Sequence, residues 1–263
     1  MFDSGLGGLT VANALMRRLP KESLLYFGDT ARVPYGAKSP ETVRRYALQI
    51  GEWLVDQGVK CLVVACNTAT AHALEALQSA LPVPVIGVVE AGARAAVRAS
   101  RTGPIGVIGT SGTIASGAYT QAIERQSVNA RVLSAACPLF VPLVEEGWVH
   151  HQVTRVIANQ YLAPLREAQV DTLVLGCTHY PMLHLVIAAE MGPAVQLIDS
   201  AEETAAEVEH MLAVRALLHD PAHEWEKGPV HRFVVSDAPQ HFLVLGGRFL
   251  DVPLAAVEHH VFA

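Results

Sequence analysis

The residues in this chain best suited to moving protons are its four cysteines, Cys61, Cys66, Cys137 and Cys177. A thiol ionises within reach of neutral pH, and its thiolate serves as a base. Two of the four share a setting. Residues 59–65 form an apolar run that leads into Cys66-Asn67-Thr68-Ala69, and residues 170–176 lead in the same way into Cys177-Thr178-His179-Tyr180. Each run ends in a small residue, then Cys, then polar residues able to open a helix. A Cys behind a buried strand is commonly just a small core residue. Cys61 and Cys137 lack the polar followers and are read that way. The same setting used twice points instead to a pair of acid/base groups. The free N–H groups and positive end of a helix lower a thiol's pKa and also accept a carboxylate.

Other chemistry fits these residues less well. There is no Cys-x-x-Cys pair and no Cys/His spacing of a zinc site, and Cys177-x-His179 alone is a weak metal signal. A cysteine-protease reading leaves the second Cys unexplained. The opening Asp3-Ser4-Gly5-Leu6-Gly7-Gly8-Leu9-Thr10 is a polar pair followed by a glycine-rich turn into a helix. Thr10 stands where a dinucleotide fingerprint needs its third glycine, and Gly-Lys-Ser/Thr is absent, so neither nucleotide loop is present. Polar clusters also follow two further apolar runs. One is Gly28-Asp29-Thr30 with Pro34-Tyr35-Gly36, and the other is Gly109-Thr110-Ser111-Gly112-Thr113. The last reads equally well as a helix cap.

The elements that must carry these residues alternate along the chain. Apolar runs at 23–27, 60–65, 83–88, 105–108, 131–135, 172–175 and 195–198 predict buried strands. Stretches at 40–57, 69–80, 91–99, 116–126, 152–168 and 201–218 have helical period and length. That alternation predicts α/β architecture with mainly parallel sheets, and in such sheets ligands gather at the carboxyl ends of the strands. The 111 residues between Cys66 and Cys177 are too many for a solenoid repeat. They fit two related α/β domains, each presenting one Cys. The expected division is 1–92 plus 200–263 for the first domain and 93–199 for the second, with a loop at 221–228 before a last apolar run and helix.

Composition narrows the class. About half of the 263 residues are apolar and 17% are charged, as in a compact enzyme. A net charge of −6 without a run of Lys or Arg gives no nucleic-acid-binding signal. No apolar stretch is long enough for a membrane span, and no signal peptide is legible. Four scattered cysteines suit reduced thiols and a cytoplasmic location.

Together, Phe2-Asp3-Ser4-Gly5-Leu6-Gly7-Gly8-Leu9-Thr10-Val11, Gly28-Asp29-Thr30 with Pro34-Tyr35-Gly36, Ala65-Cys66-Asn67-Thr68-Ala69-Thr70 and Leu175-Gly176-Cys177-Thr178-His179-Tyr180-Pro181 resemble the glutamate racemases of the aspartate/glutamate racemase superfamily. His179 after Cys177-Thr178 resembles the glutamate branch, because aspartate racemases usually place Glu there. The resemblance implies two pseudo-symmetric α/β domains with the active site between them. It also implies interconversion of L- and D-glutamate without a cofactor or metal, supplying D-glutamate for peptidoglycan. Cys66 and Cys177 would be the catalytic pair, Cys66 taking the proton from D-glutamate and Cys177 from L-glutamate. Asp3, Ser4, Tyr35, Gly36, Asn67, Thr68, Thr178 and His179 match substrate-binding positions. Asp3 and His179, with Asp29 and Glu145, match groups that tune the thiols. Dimers are common in that family, so a homodimer is an expected assembly. Family members usually carry several residues before Phe2, so here a nearly absent first strand is expected, and the position of Asp3 depends on it.

Overall fold

The computed structural model describes residues 1–101, 103–220, 228–251 and 253–262. The expected loop at 221–228 falls outside the described residues, apart from Gly228. Strands are β1 (Phe2–Asp3), β2 (Leu24–Gly28), β3 (Leu62–Val64), β4 (Val85–Gly87), β5 (Ile105–Gly109), β6 (Val132–Ala136), β7 (Thr172–Gly176), β8 (Gln196–Ile198), β9 (His231–Val235) and β10 (Glu258–His259). They form two sheets, ordered β10-β9-β2-β1-β3-β4 and β6-β5-β7-β8. Every pairing is parallel.

The second sheet repeats the order of the first. The sequence β2-β1-β3-β4 becomes β6-β5-β7-β8, and β9 and β10 are added outside β2. In each sheet the earliest strand lies in the middle and its two neighbours go opposite ways. This is the topological switch point at which α/β sheets open a crevice. Cys66 follows β3 and Cys177 follows β7, the equivalent strands of the two sheets.

The expected strands all form, within a few residues of their predicted bounds. They read as unbroken apolar runs because helices cover both faces, and β3 and β7 are buried along their whole length. The helix expected over 116–126 forms as Ala118–Gln126, preceded by a separate short helix, Ser111–Ala115. The break is at Gly117, whose φ of +67° few other residues adopt without cost. One short helix, Phe140–Glu145, was not foreseen, whereas His184–Met191 starts later than the helix expected behind Cys177 and Pro239–Gly246 is the expected last helix.

The first strand is short but central. Phe2 pairs with Phe27 on one side and Val64 on the other, and Asp3 pairs with Gly28. The Asp29 N–H donates to the Asp3 carbonyl at 3.0 Å, and the Ala65 N–H to that of Phe2 at 2.9 Å. The largest core cluster crosses from one sheet to the other, joining Leu9, Tyr26 and Val63 to Leu173, Leu175 and Tyr180. The helix Ser200–Val214 packs on both Leu9–Arg18 and Val88–Ala99.

Candidate active site between the two sheets

The carboxyl ends of the strands supply the site. A small cavity of about 30 Å³ is lined by Ser4 after β1, by Val33, Pro34, Tyr35 and Gly36 beyond β2, and by Cys66, Asn67 and Thr68 after β3. The other half contributes Thr110 after β5, Val141 beyond β6, and Cys177, Thr178 and His179 after β7. Both cysteines therefore face one space. Of the residues matched to catalytic or substrate-binding positions, all but Asp3 line it, and the two further tuning candidates, Asp29 and Glu145, lie outside the lining. Asp3 lies fully buried behind the wall, accepting from the Gly5 N–H at 2.9 Å and the Thr178 hydroxyl at 3.4 Å.

The two thiols have unequal surroundings. Cys66 is the N-cap of the helix Asn67–Ala80, its sulfur accepting from the Ala69 N–H at 3.4 Å and donating to the Ser4 hydroxyl at 3.6 Å. Cys177 is not followed directly by an α-helix. A turn and a 3-10 segment, Tyr180–Leu183, precede the helix His184–Met191. The expectation that helix ends lower both thiol pKa values is corrected here. Burial pushes the Cys66 thiol up to about 11, the nearby Asp3 charge adds to this, and the Ala69 N–H and Ser4 offset only part. Burial also pushes the Cys177 thiol up, and the His179 N–H opposes it. At both sites desolvation outweighs the hydrogen bonds that favour the thiolate.

Hydrogen bonds tie the halves together around the cavity. The hydroxyls of Thr68, Thr110 and Thr113 form a triangle with sides of 2.9 to 3.1 Å. The Tyr119 hydroxyl donates to Asn67 Oδ1 at 2.7 Å, and the His72 ring meets the Gly112 carbonyl at 3.1 Å. Thr110 also caps its own helix, accepting from the Thr113 N–H at 3.2 Å as the capping reading expects, and it lines the cavity. Two glycines permit the closeness. A methyl group at Gly7 would strike the Thr178 hydroxyl and the His179 ring, and one at Gly36 would lie 2.5 Å from Thr110 Cβ.

Three residues matched to tuning or binding roles have specific partners. His179 Nε2 meets Glu145 Oε1 at 3.0 Å, which joins the helix Phe140–Glu145 to the site. The Tyr35 hydroxyl donates to Asp29, and Tyr35 lines the cavity with Pro34 and Gly36. The Asp29 carboxylate is taken up by Arg32, Tyr35 and Ser236, and hydrogen-bonds neither thiol. Sequence reasoning missed Val141 and Tyr119. Val141 carries no signal beyond apolarity, and Tyr119 reads simply as a helix residue.

Among the described residues, no three His, Cys, Asp or Glu side chains gather as a metal site. His179 is the only ring or cationic nitrogen-bearing side chain on the lining besides the Asn67 amide. No helix of the described residues is long and apolar enough to cross a membrane.

The model of the Asp/Glu/Hydantoin racemase family matches residues 9–208. The chain is 55% identical to a glutamate racemase of Geobacter metallireducens over 257 residues, 98% of this chain and 94% of that one. It is 52% identical to a glutamate racemase of Syntrophus aciditrophicus over 258 residues, with the same shares covered. Its fold is similar to that of a solved glutamate racemase isoform from Bacillus anthracis, with a TM-score of 0.92 and 42% identity over 100% of this chain and 96% of that one. The glutamate racemase of Francisella tularensis, solved in complex with D-glutamate, gives a TM-score of 0.91 at 38% identity, covering 98% of this chain and 95% of that one. The chain belongs to the Asp/Glu/Hydantoin racemase family and, within it, to the glutamate racemases, which are amino-acid isomerases.

Proposed function

We propose that this chain interconverts L- and D-glutamate by passing the α-proton between Cys66 and Cys177, without a bound cofactor. The observation that carries the reading is the position of the two cysteines, which follow equivalent strands of two like-ordered sheets and line one cavity. In the reaction one cysteine acts as thiolate and takes the α-proton, breaking the C–H bond. The electron pair left on the α-carbon delocalises into the adjacent carboxylate. The other cysteine gives its S–H proton to the opposite face, so each turnover exchanges the roles of the two sulfurs. Ser4, Asn67, Thr68, Thr178 and the N–H groups at the start of Asn67–Ala80 hold the substrate's carboxylates and offset the developing charge. Asp3 and Glu145 act through their neighbours, Asp3 through Thr178 and Glu145 through His179.

A cavity of about 30 Å³ has room for two or three waters and not for an amino acid, so substrate enters a more open form and the site closes over it. The division into domains at 1–92 plus 200–263 and 93–199 suits such opening, since it assigns β1–β4, β9 and β10 to one body and β5–β8 to the other. We place the activity in the cytoplasm, in the supply of D-glutamate for peptidoglycan, and read a homodimer as the working assembly.

The test is the circular dichroism of L-glutamate incubated with purified protein and no added cofactor. The signal is expected to decay to zero, while that of L-aspartate stays constant. A folded protein that leaves both signals unchanged overturns the reading, and decay of aspartate alone moves the substrate to the shorter acid.

A further inference from the structure

The C-terminal strand lies at the edge of the first sheet, yet its last residues pack toward the loop that lines the active site. β10 pairs with β9 through Glu258 and His259, and the His260 N–H donates to the Val235 carbonyl at 2.9 Å. Beyond it the chain turns onto an aromatic cluster. The His260 ring stacks on Trp53 at 4.7 Å, and Phe262 packs on Phe27 at 5.4 Å. Phe262 also covers one side of the Arg32 guanidinium at 4.9 Å, and Tyr46 covers another at 4.3 Å.

Arg32 is the cation that holds the buried Asp29. Its Nε meets both Asp29 oxygens, at 2.9 and 2.7 Å, and its Nη1 donates to Gln49 at 2.7 Å. Its Nη2 is buried with no hydrogen-bond partner, so Arg32 is held partly by ring contacts. Asp29 is wholly buried, and a carboxylate taken from water needs its charge and lone pairs satisfied together. It accepts from Arg32, from Ser236 at 2.8 Å and from the Tyr35 hydroxyl. Tyr35 in turn carries Pro34 and Gly36 into the wall of the cavity. A continuous line of contacts thus runs from Phe262 through Arg32 and Asp29 to Tyr35.

We propose that Arg32 and Phe262 are positioning residues for the reaction, the C-terminal segment clasping Arg32 so that Asp29 holds the Tyr35 loop in its substrate-bearing shape. The functional meaning rests on the glutamate racemase reading, whereas the clasp itself does not. Removing the Phe262 ring opens Arg32 to water and frees its guanidinium to swing. Asp29 then loses its fixed partner, and Tyr35 loses the acceptor that sets its place. The cysteines and the threonine triangle are untouched, so the loss falls on substrate binding more than on turnover.

The experiment compares Phe262→Ala, Phe262→Trp, Arg32→Lys and, as a control on the same tail, Glu258→Gln, which removes only the exposed Arg232–Glu258 ion pair. Hydrogen–deuterium exchange over residues 33–37 reads the clasp without requiring activity, and steady-state kinetics with both enantiomers read its effect. Phe262→Ala and Arg32→Lys are expected to speed exchange over 33–37. They should also raise KM for both enantiomers by roughly three- to tenfold, with kcat changed less. Phe262→Trp should restore both, and Glu258→Gln should move neither. Unchanged exchange in Phe262→Ala and Arg32→Lys overturns the clasp. So does a fall in kcat at constant KM that follows a lowered melting temperature. Faster exchange in a wild-type protein background that never racemises glutamate would retain the clasp and overturn the functional reading.

Discussion

Removing the hydroxyl of Tyr119 tests whether the halves position the site through Asn67. Tyr119 lies on the helix Ala118–Gln126 of the second half and donates to Asn67 Oδ1 at 2.7 Å, next to Cys66. Both side chains are almost fully buried, at 2% and 3% exposure, so water does not replace the lost donor. Tyr119→Phe leaves a buried amide oxygen unpaired, which costs about 1–3 kcal/mol. For a chain of this length that lowers the melting temperature by very roughly 2–10 °C. If Asn67 must keep its orientation to bind substrate, part of the same loss appears in kcat/KM, at about tenfold per 1.4 kcal/mol. The assay is a double-mutant cycle in denaturant with Tyr119→Phe, Asn67→Ala and the pair, alongside kinetics of Tyr119→Phe. A coupling energy of about 1 kcal/mol or more is expected, because removing Asn67 removes the group that Tyr119 serves. Strict additivity would refute the link, as would unaltered kinetics in a variant that has lost stability.

Three further outcomes are expected. Cys66→Ala and Cys177→Ala should each abolish racemisation of both enantiomers while retaining native far-UV circular dichroism, and near-normal turnover by either would end the two-base scheme. Folding stability should fall in alkali, because Cys66 titrates near 11 when folded and near about 8.5 when unfolded. Its contribution is full below about pH 8.5 and is lost as pH rises toward 11, at a rate approaching about 1.4 kcal/mol per pH unit. Denaturant midpoints from pH 7 to 10.5 should show that slope reduced in Cys66→Ala, and an unchanged slope would mean that the thiol is not desolvated. Gly36→Ala sets a methyl 2.5 Å from Thr110 Cβ, an overpacking worth about 1–3 kcal/mol, and should lower kcat/KM by roughly tenfold. Wild-type kinetics would show that this contact opens freely.

Much of this arrangement was legible because parallel strands buried on both faces must be apolar from end to end. β3 and β7 stand out as Leu- and Val-rich runs broken by small residues, and the polar motifs behind them mark the carboxyl ends where α/β sheets bind ligands. What escaped was held by contacts that local pattern does not encode. The helix Phe140–Glu145 is a single short apolar stretch containing Pro142, and its value lies in the bond from Glu145 to His179, 34 residues away. Asp29 resembles a site carboxylate in sequence. It is claimed instead by Arg32 in its own loop and by Ser236, 207 residues distant, which no window of residues can reveal. The helix expected straight after Cys177 is delayed because Pro181 opens a 3-10 segment in its place.

The near-equivalence of the two sheets makes the inequality of the two thiols informative. Both cysteines leave the same strand of the same topology, so the backbone brings them to the cavity in like fashion. Their partners differ. Cys66 has the Ala69 N–H and Ser4 beside it and the Asp3 charge against it, whereas Cys177 has the His179 N–H and faces Asp3, Glu145 and Cys66. A negative charge is therefore easier to form on Cys66. With both thiols raised by burial, the closed site favours two neutral sulfurs, whereas the proposed two-base reaction needs one of them charged. Under the proposed function an amino-acid substrate would bring an α-ammonium whose positive charge favours a thiolate nearby. The small cavity, the bridges between the two sheets and the chemistry of the sulfurs thereby join in one proposed cycle of opening, charging and closure.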